Sequence, residues 1–202
     1  MKLSENKIIY MCLGVVLIGI ISLSFYSFEP ENRKIKDLKE GDFVRITGHI
    51  QSMKLERDEY RHIKSIKYIK IMDDTGGDLR IYPSKKVMDS LVEYIKNYSP
   101  SIKEGDVVQV IGIIQVYNGI YIIHLDDISN FKLIEKKNFE RDIYLSPTPT
   151  GIYASKNGKT YHTIKDCIYG KKIAEDNRIY FYSEEDAEEL NYKKCKYCAS
   201  KK

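Results

Sequence analysis

Apolar residues recur along this chain at two spacings, and the spacings divide it before any single side chain is considered. Between Glu40 and Ile134, short runs alternate β-branched and polar residues, the two-residue period of strands with one face in a core. One phrase occurs twice: Glu40-Gly41-Asp42-Phe43-Val44-Arg45-Ile46-Thr47-Gly48-His49-Ile50 returns as Glu104-Gly105-Asp106-Val107-Val108-Gln109-Val110-Ile111-Gly112-Ile113-Ile114. In each copy a Gly-Asp turn launches an alternating strand, and a later glycine marks a place where the strand bulges or bends sharply. Tyr68 to Met72 and Leu79 to Tyr82 flank a hairpin loop, Asp73 to Asp78, built of residues that tolerate left-handed backbone. From Ser84 to Tyr98 the period lengthens: Val87, Met88, Leu91, Val92 and Ile95 lie three and four apart and predict a helix, capped by Ser84 and ended by Ser99-Pro100. Tyr117-Asn118-Gly119-Ile120 then turns tightly into a strand from Tyr121 to Leu125, and Ile128 to Ile134 forms a short closing segment.

The N-terminal pattern differs, having no polar face. Ile8 to Phe28 runs 21 residues without a charge, long enough at 1.5 Å per residue to span the roughly 30 Å hydrocarbon layer of a bilayer. It reads as a transmembrane helix in preference to a cleaved signal peptide, because Phe25, Tyr26 and Phe28 extend it past any cleavage site at Ser22-Leu23-Ser24. Lys2 and Lys7 face Arg33, Lys34, Lys36 and Lys39 across it, so the charge rule does not set its direction. A very short tail before a long soluble part predicts a single-pass protein of the cell membrane whose soluble domains lie outside the cytoplasm. The expected division is a tail at 1–7, a transmembrane helix at 8–28, a juxtamembrane linker at 29–39, a barrel domain at 40–135, the Pro-interrupted linker 136–150 and a small domain at 151–202.

Composition narrows the class. With 31% charged and 43% hydrophobic residues over 202 positions, the chain is neither disordered nor a multi-span membrane protein. Its net charge of +4 suits a polyanion or a membrane surface, and equally a plain surface rich in Lys and Glu. Outside the apolar segment, which holds Cys12, the cysteines are Cys167, Cys195 and Cys198, an odd set that favours metal over a disulfide framework. Cys195-Lys196-Tyr197-Cys198 can clasp one tetrahedral ion, and His162 with Cys167 completes a set of three thiolates and an imidazole. Zinc (Zn2+) is the expected occupant, in a structural role, because a unit of this size buries too little apolar surface alone. Asp166 or water in place of His162, and a disulfide between Cys195 and Cys198, are the competing readings.

The order strand, strand, strand, helix, strand, strand resembles the OB-fold, and the Gly-Asp-x-Val-x-Val-x-Gly phrase resembles the strand openings of its anticodon-binding type. The segment from Ile152 to Cys198 resembles the metal-binding domain of the Ada DNA-repair family and its relatives, through Tyr153 to His162, Asp166-Cys167, Asn177 to Phe181, Ser183 to Ala187 and Lys194 to Cys198. This likeness implies a small β-hairpin, a helix near Ser183 to Leu190, and zinc held between the two halves. Where that family carries a methyl-accepting cysteine this chain has His162, and an imidazole cannot perform thiolate methyl transfer. His162 also stands five residues before Cys167, one more than the usual spacing.

OB-folds bind single strands across strands two and three, clamped by the loops that flank them. Here the first such loop carries Lys54, Arg57, Arg61, Lys64, Lys67 and Lys70 with His62, against Glu56, Asp58 and Glu59, and Tyr60 and Tyr68 are interleaved. Tyr68, Tyr82 and Tyr117 supply stacking surfaces. The chain thus reads as a membrane-anchored binder of single-stranded DNA or RNA; the alternative is a cell-surface interaction module that contacts protein or saccharide. No catalytic residue stands out: the barrel's acids are the turn residues Asp73, Asp74, Asp126 and Asp127, leaving a metal-dependent nuclease as the only enzymatic alternative.

Overall fold

Isoleucine and valine at alternate positions build the larger of two sheets in the computed structural model, which describes residues 5–24 and 29–201. Its elements are helix α1 (Glu5–Ser24), β1 (Glu31–Asn32), β2 (Phe43–Arg57), β3 (Ile63–Met72), β4 (Asp78–Pro83), α2 (Met88–Lys96), β5 (Val107–Ile113), β6 (Gln115–Tyr117), β7 (Ile120–Leu125) and β8 (Phe131–Glu135). Strands β2, β3 and β4 form an antiparallel meander, and β2 also pairs antiparallel with β5. The β4/β7 pair is parallel, with Leu79 opposite Tyr121 and Pro83 opposite Leu125. β6 continues β5 past buried Ile114 and turns back through Asn118 and Gly119, both at positive φ, to pair with β7 and close the barrel. A parallel pair between the third and fifth strands, with a helix between the third and fourth, is OB-fold topology, as the strand order in the sequence predicts.

The repeated phrase has a structural reason. Its two copies are antiparallel neighbours, with Gly48 opposite Val108. Each turn grips the last residue of the other copy: Gly41 donates its N–H to the Ile114 carbonyl, and Gly105 donates to that of Ile50, both at 2.8 Å. Gly41 and Gly105 adopt φ of 88° and 95°, open to glycine at little cost. Each aspartate then fastens its own turn, Asp42 accepting from the Lys39 N–H and Asp106 from the Lys103 N–H. The later glycine does not mark a bulge, for the register shifts fall instead between Ile50 and Arg57 on β2 and between Val107 and Val108 on β5. Gly48 is needed because a Cβ there would stand 2.6 Å from the Met72 carbonyl oxygen.

The barrel interior is aliphatic, with Ile46, Ile50, Ile69, Ile71, Leu79, Ile81, Val108, Val110 and Ile123 fully buried. Each such side chain contributes roughly 1.5–3 kcal/mol. Helix α2 adds Leu91, Val92 and Ile95 and is shorter than its apolar period suggests. Ser84 does not cap it: the backbone N–H of Ser84 bonds the Leu125 carbonyl, extending the β4/β7 pairing, and a turn to Val87 precedes the helix.

Asp106 is fully buried and accepts from Lys136 Nζ at 2.7 Å and from the N–H groups of Lys137 and Asn138. Burial alone would raise its carboxyl; Lys136 and the surrounding N–H donors outweigh that and hold it below its ordinary value. A depressed folded-state pKa contributes stability that is fully present above the unfolded value and is lost as pH falls through the folded one. The melting temperature should therefore drop as pH is lowered below about 4, and an Asp106→Asn variant, less stable at neutral pH, should show a shallower acid slope. An unchanged slope in a calorimetric pH series would show that Asp106 contributes nothing to it.

The N-terminal expectation is corrected. Among the described residues no helix is long and apolar enough to cross a membrane. Helix α1 begins among charges at Glu5 and Lys7, so its uncharged described part, 8–24, measures only about 25 Å against the roughly 30 Å a bilayer requires; the rest of the segment expected to span, 25–28, lies outside the described residues. The single-pass topology, the membrane as a partner and the placement of the domains outside the cytoplasm all rested on that span and fall with it. Residues 29–39, expected to be a linker, pack on the barrel instead: Glu31 pairs with Val44, and Ile35 and Leu38 enter the core.

A smaller sheet follows, in the order β13 (Lys193–Lys194), β11 (Thr160–His162), β10 (Tyr153–Ser155), β12 (Arg178–Phe181) and β9 (Leu145–Ser146), with α3 (Glu184–Glu189) and α4 (Lys196–Ser200) beside it. Its core is slight: Leu145, Ala154, Tyr161, Phe181 and Ala187. Ser183 caps α3 through a reciprocal bond with Asp186.

Candidate functional site

Pleating turns every second residue of β3, β4 and β7 outward, and the register gathers these residues into rows. Lys54 on β2 stands opposite Tyr68, and Tyr82 stands opposite His124. The Tyr68 and Tyr82 rings lie 5.8 Å apart and those of Tyr82 and His124 lie 6.1 Å apart, so three aromatic side chains cross the sheet as one platform. In the adjacent row Lys70 stands opposite Arg80, which stands opposite Ile122. The Arg80 guanidinium lies over the Tyr68 ring at 5.3 Å. The Tyr82 hydroxyl beside it raises the Arg80 pKa, so the charge is permanent. Arg80, Tyr82, Tyr117, Ile120, Ile122 and His124 line a recess of about 310 Å³ on this face.

Of the residues singled out in the sequence, this surface unites Lys54, Tyr68, Lys70, Tyr82 and exposed Tyr117. Lys70 is paired with Asp78 at 3.0 Å, and Lys67 with Glu56 at 3.0 Å. Lys64 lies elsewhere, beside α2 with Asp89 and Glu93. Arg80 and His124 were missed. The signal for both was parity, since Leu79 and Ile81 point inward and so do Ile123 and Leu125.

The long basic loop proves to be mostly strand, and only Asp58 to His62 turns. That turn is docked, not free: the Leu145 N–H bonds the Tyr60 carbonyl, Tyr60 packs on the smaller core, and the His62 ring stacks on Tyr144 at 4.5 Å. Arg57 donates to the Arg61 carbonyl at 2.7 Å, so both arginines belong to this junction and not to the aromatic platform.

The second constellation lies at the far end of the chain. The β10/β11 hairpin ends in His162, a turn closed by the Cys167 N–H on the Ile164 carbonyl follows, and the Cys195 N–H bonds the Tyr161 carbonyl to bring the closing Cys-x-x-Cys alongside. The ligand atoms of His162, Cys167, Cys195 and Cys198 all lie within 4.8 Å of one another, and all four residues are buried. His162 Nδ1 is 3.2 Å from the Cys167 sulfur and 3.9 Å from that of Cys198, and the Cys167 and Cys195 sulfurs are 3.9 Å apart. Sulfur ligands at 2.3 Å around a tetrahedral ion stand about 3.8 Å apart, so the cluster fits a metal. Burial lowers the His162 pKa, favouring the neutral imidazole that coordinates. Burial would raise the Cys167 thiol, but the N–H groups of Gly170 and Tyr169 hold it below its ordinary value. Asp166 is outside the cluster, exposed and paired with Lys171 at 3.0 Å. An Asp166→Ala variant should accordingly keep its metal stoichiometry in native mass spectrometry; loss of the ion would make Asp166 a ligand.

A protein of Methanocaldococcus jannaschii, "Uncharacterized protein MJ0818", is 51% identical over 199 residues, covering 98% of each chain. No family model matches, so neither the anticodon-binding type of barrel nor the Ada-like reading of the C-terminal unit gains support there. Among solved structures, a domain of replication protein A from Methanococcus maripaludis is similar at 22% identity and a TM-score of 0.36, covering 52% of this chain and 98% of that one. The replication factor A related protein from Methanobacterium thermoautotrophicum gives 22% and 0.35, covering 52% and 91%. The OBody AM1L10 bound to hen egg-white lysozyme gives 22% and 0.38, covering 55% and 100%. The fold assignment rests on the strand order and register described above.

Proposed function

The chain belongs to the family of the M. jannaschii protein MJ0818, and from its own surface we propose that it binds single-stranded nucleic acid across the outer face of β3, β4 and β7. The observation that carries this reading is the unbroken row of Lys54, Tyr68, Tyr82 and His124 across four strands. Stacking accepts any base, because every base has a π-face, and each base stacked on an aromatic side chain contributes about 1–3 kcal/mol. Tyr117 extends the platform at the recess, and Lys54 at its border supplies a cation for a phosphate. Paired bases present no free faces, so a duplex is the poorer ligand.

Zinc is the ion we assign to the C-terminal cluster, held by His162, Cys167, Cys195 and Cys198. Four protein ligands leave no open position, which suits a structural role. That unit grips the turn at Tyr60, so the metal stiffens the loop joining β2 and β3 while the platform holds the ligand.

The test is fluorescence anisotropy of the full chain with labelled single strands and the matching duplex. The expected result is a preference for the single strand, with affinity falling linearly on a logarithmic salt scale by about 0.7 per phosphate neutralised. Failure to retain DNA or RNA at low salt would overturn this reading and leave a protein or saccharide ligand.

A further inference from the structure

Resting on that reading, we propose that the face is selective among bases and prefers guanine, with Arg80 as the residue that reads it. Arg80 stands near the middle of the platform, between the Lys70 and Ile122 positions of its row, with its guanidinium laid on the Tyr68 ring. Lys70 is neutralised by Asp78, whereas Arg80 has no carboxylate partner among the described residues. Its Nε–H is shielded from solvent and without a partner. The donors that face a ligand are those on the two terminal nitrogens, a flat fork of N–H groups with no acceptor, set beside the Tyr82 hydroxyl.

The surroundings decide what meets that fork. Phosphates favour solvated Lys54 at the border, while Tyr82, Tyr117, Ile120 and Ile122 give the recess apolar walls suited to a base. A planar donor fork fixed beside a stacked base reads an edge with two adjacent acceptors. Guanine presents such an edge in O6 and N7, and a bidentate contact of this kind discriminates against another base by roughly ten- to a hundredfold. Adenine offers an acceptor beside a donor, which the fork cannot match. Cytosine can offer O2 and N3, but its single ring covers less of an aromatic platform than a purine does.

The experiment titrates the full chain with four labelled oligothymidylates, identical except for one central position carrying G, A, C or T. The G oligomer should bind about ten- to a hundredfold more tightly than the others, and Arg80→Gln and Arg80→Lys should each bring it down towards them. Equal affinity for all four, or a preference for cytosine, would overturn the selectivity and leave single-strand binding standing. So would an Arg80→Gln variant weakened equally on all four with a salt slope shallower by about one, which would make Arg80 a phosphate contact. Failure of all four to bind would overturn the nucleic-acid reading itself.

Discussion

Replacing Cys167 by serine should release the metal and unfold the C-terminal unit while the barrel stays folded. The core available without metal is Leu145, Ala154, Tyr161, Phe181 and Ala187, with Ile152, Ile179, Leu190 and Tyr192 half-buried around it. Against this stand about 1.5 kcal/mol of conformational entropy for each residue ordered, a balance that leaves little net stability. Coordination of structural zinc contributes about 10–16 kcal/mol in small finger peptides at neutral pH. Cys167 is wholly buried at the centre of the cluster, where a hydroxyl is a poor substitute for a thiolate. Native mass spectrometry should find one zinc in the parent chain and none in the variant. Amide resonances of residues 151–201 should collapse towards unfolded positions while those of β2 to β8 persist. The turn at 58–62 should shift, because Leu145 and Tyr144 no longer hold Tyr60 and His62 in place. A variant that keeps its metal, or loses it with the unit still folded, would contradict the structural role.

The second large effect is expected from removing the platform. The double variant Tyr68→Ala/Tyr82→Ala takes away two stacking surfaces, each contributing about 1–3 kcal/mol per base. Affinity for a single strand should fall by about a hundredfold or more. The two rings touch one another, so the single variants should not sum to the double. Neither residue is in the barrel core, so urea midpoints should move little. Isothermal titration showing undiminished affinity would mean that the ligand lies elsewhere.

Much of the barrel was legible because buried aliphatic residues alternate along β4, β5 and the first half of β2, and because Asn118-Gly119 and the two Gly-Asp turns admit few backbone conformations. One feature was obscured by charge. β2 and β3 are long, and the outward positions of their distal halves are mostly Lys, Arg and Glu, so the stretch from Lys54 to Lys67 reads as a basic loop although Ile63 and Ile66 are in the barrel core. The tertiary docking of Tyr60 on the smaller core has no local signature at all. On the platform the tyrosines stood out by type, while Arg80 and His124 required the parallel β4/β7 register, which depends on long-range pairing. The metal cluster was the most legible feature, since thiols at a two-residue spacing have few other uses. His162 joins the three thiols, and Asp166 does not, because the hairpin ends at His162. The apolar N-terminal run was read as spanning over 8–28, and the described helix carries 8–24 of it.

The most direct test of the binding face is an amide chemical-shift titration of the isotopically labelled full chain with a short single strand. The largest changes should fall on β3, β4 and β7, centred on Tyr68, Arg80, Tyr82 and His124, with Tyr117 at the margin and α2 and β8 unmoved. Changes confined to the C-terminal unit, or to α2 and β8, would contradict the assignment of this face.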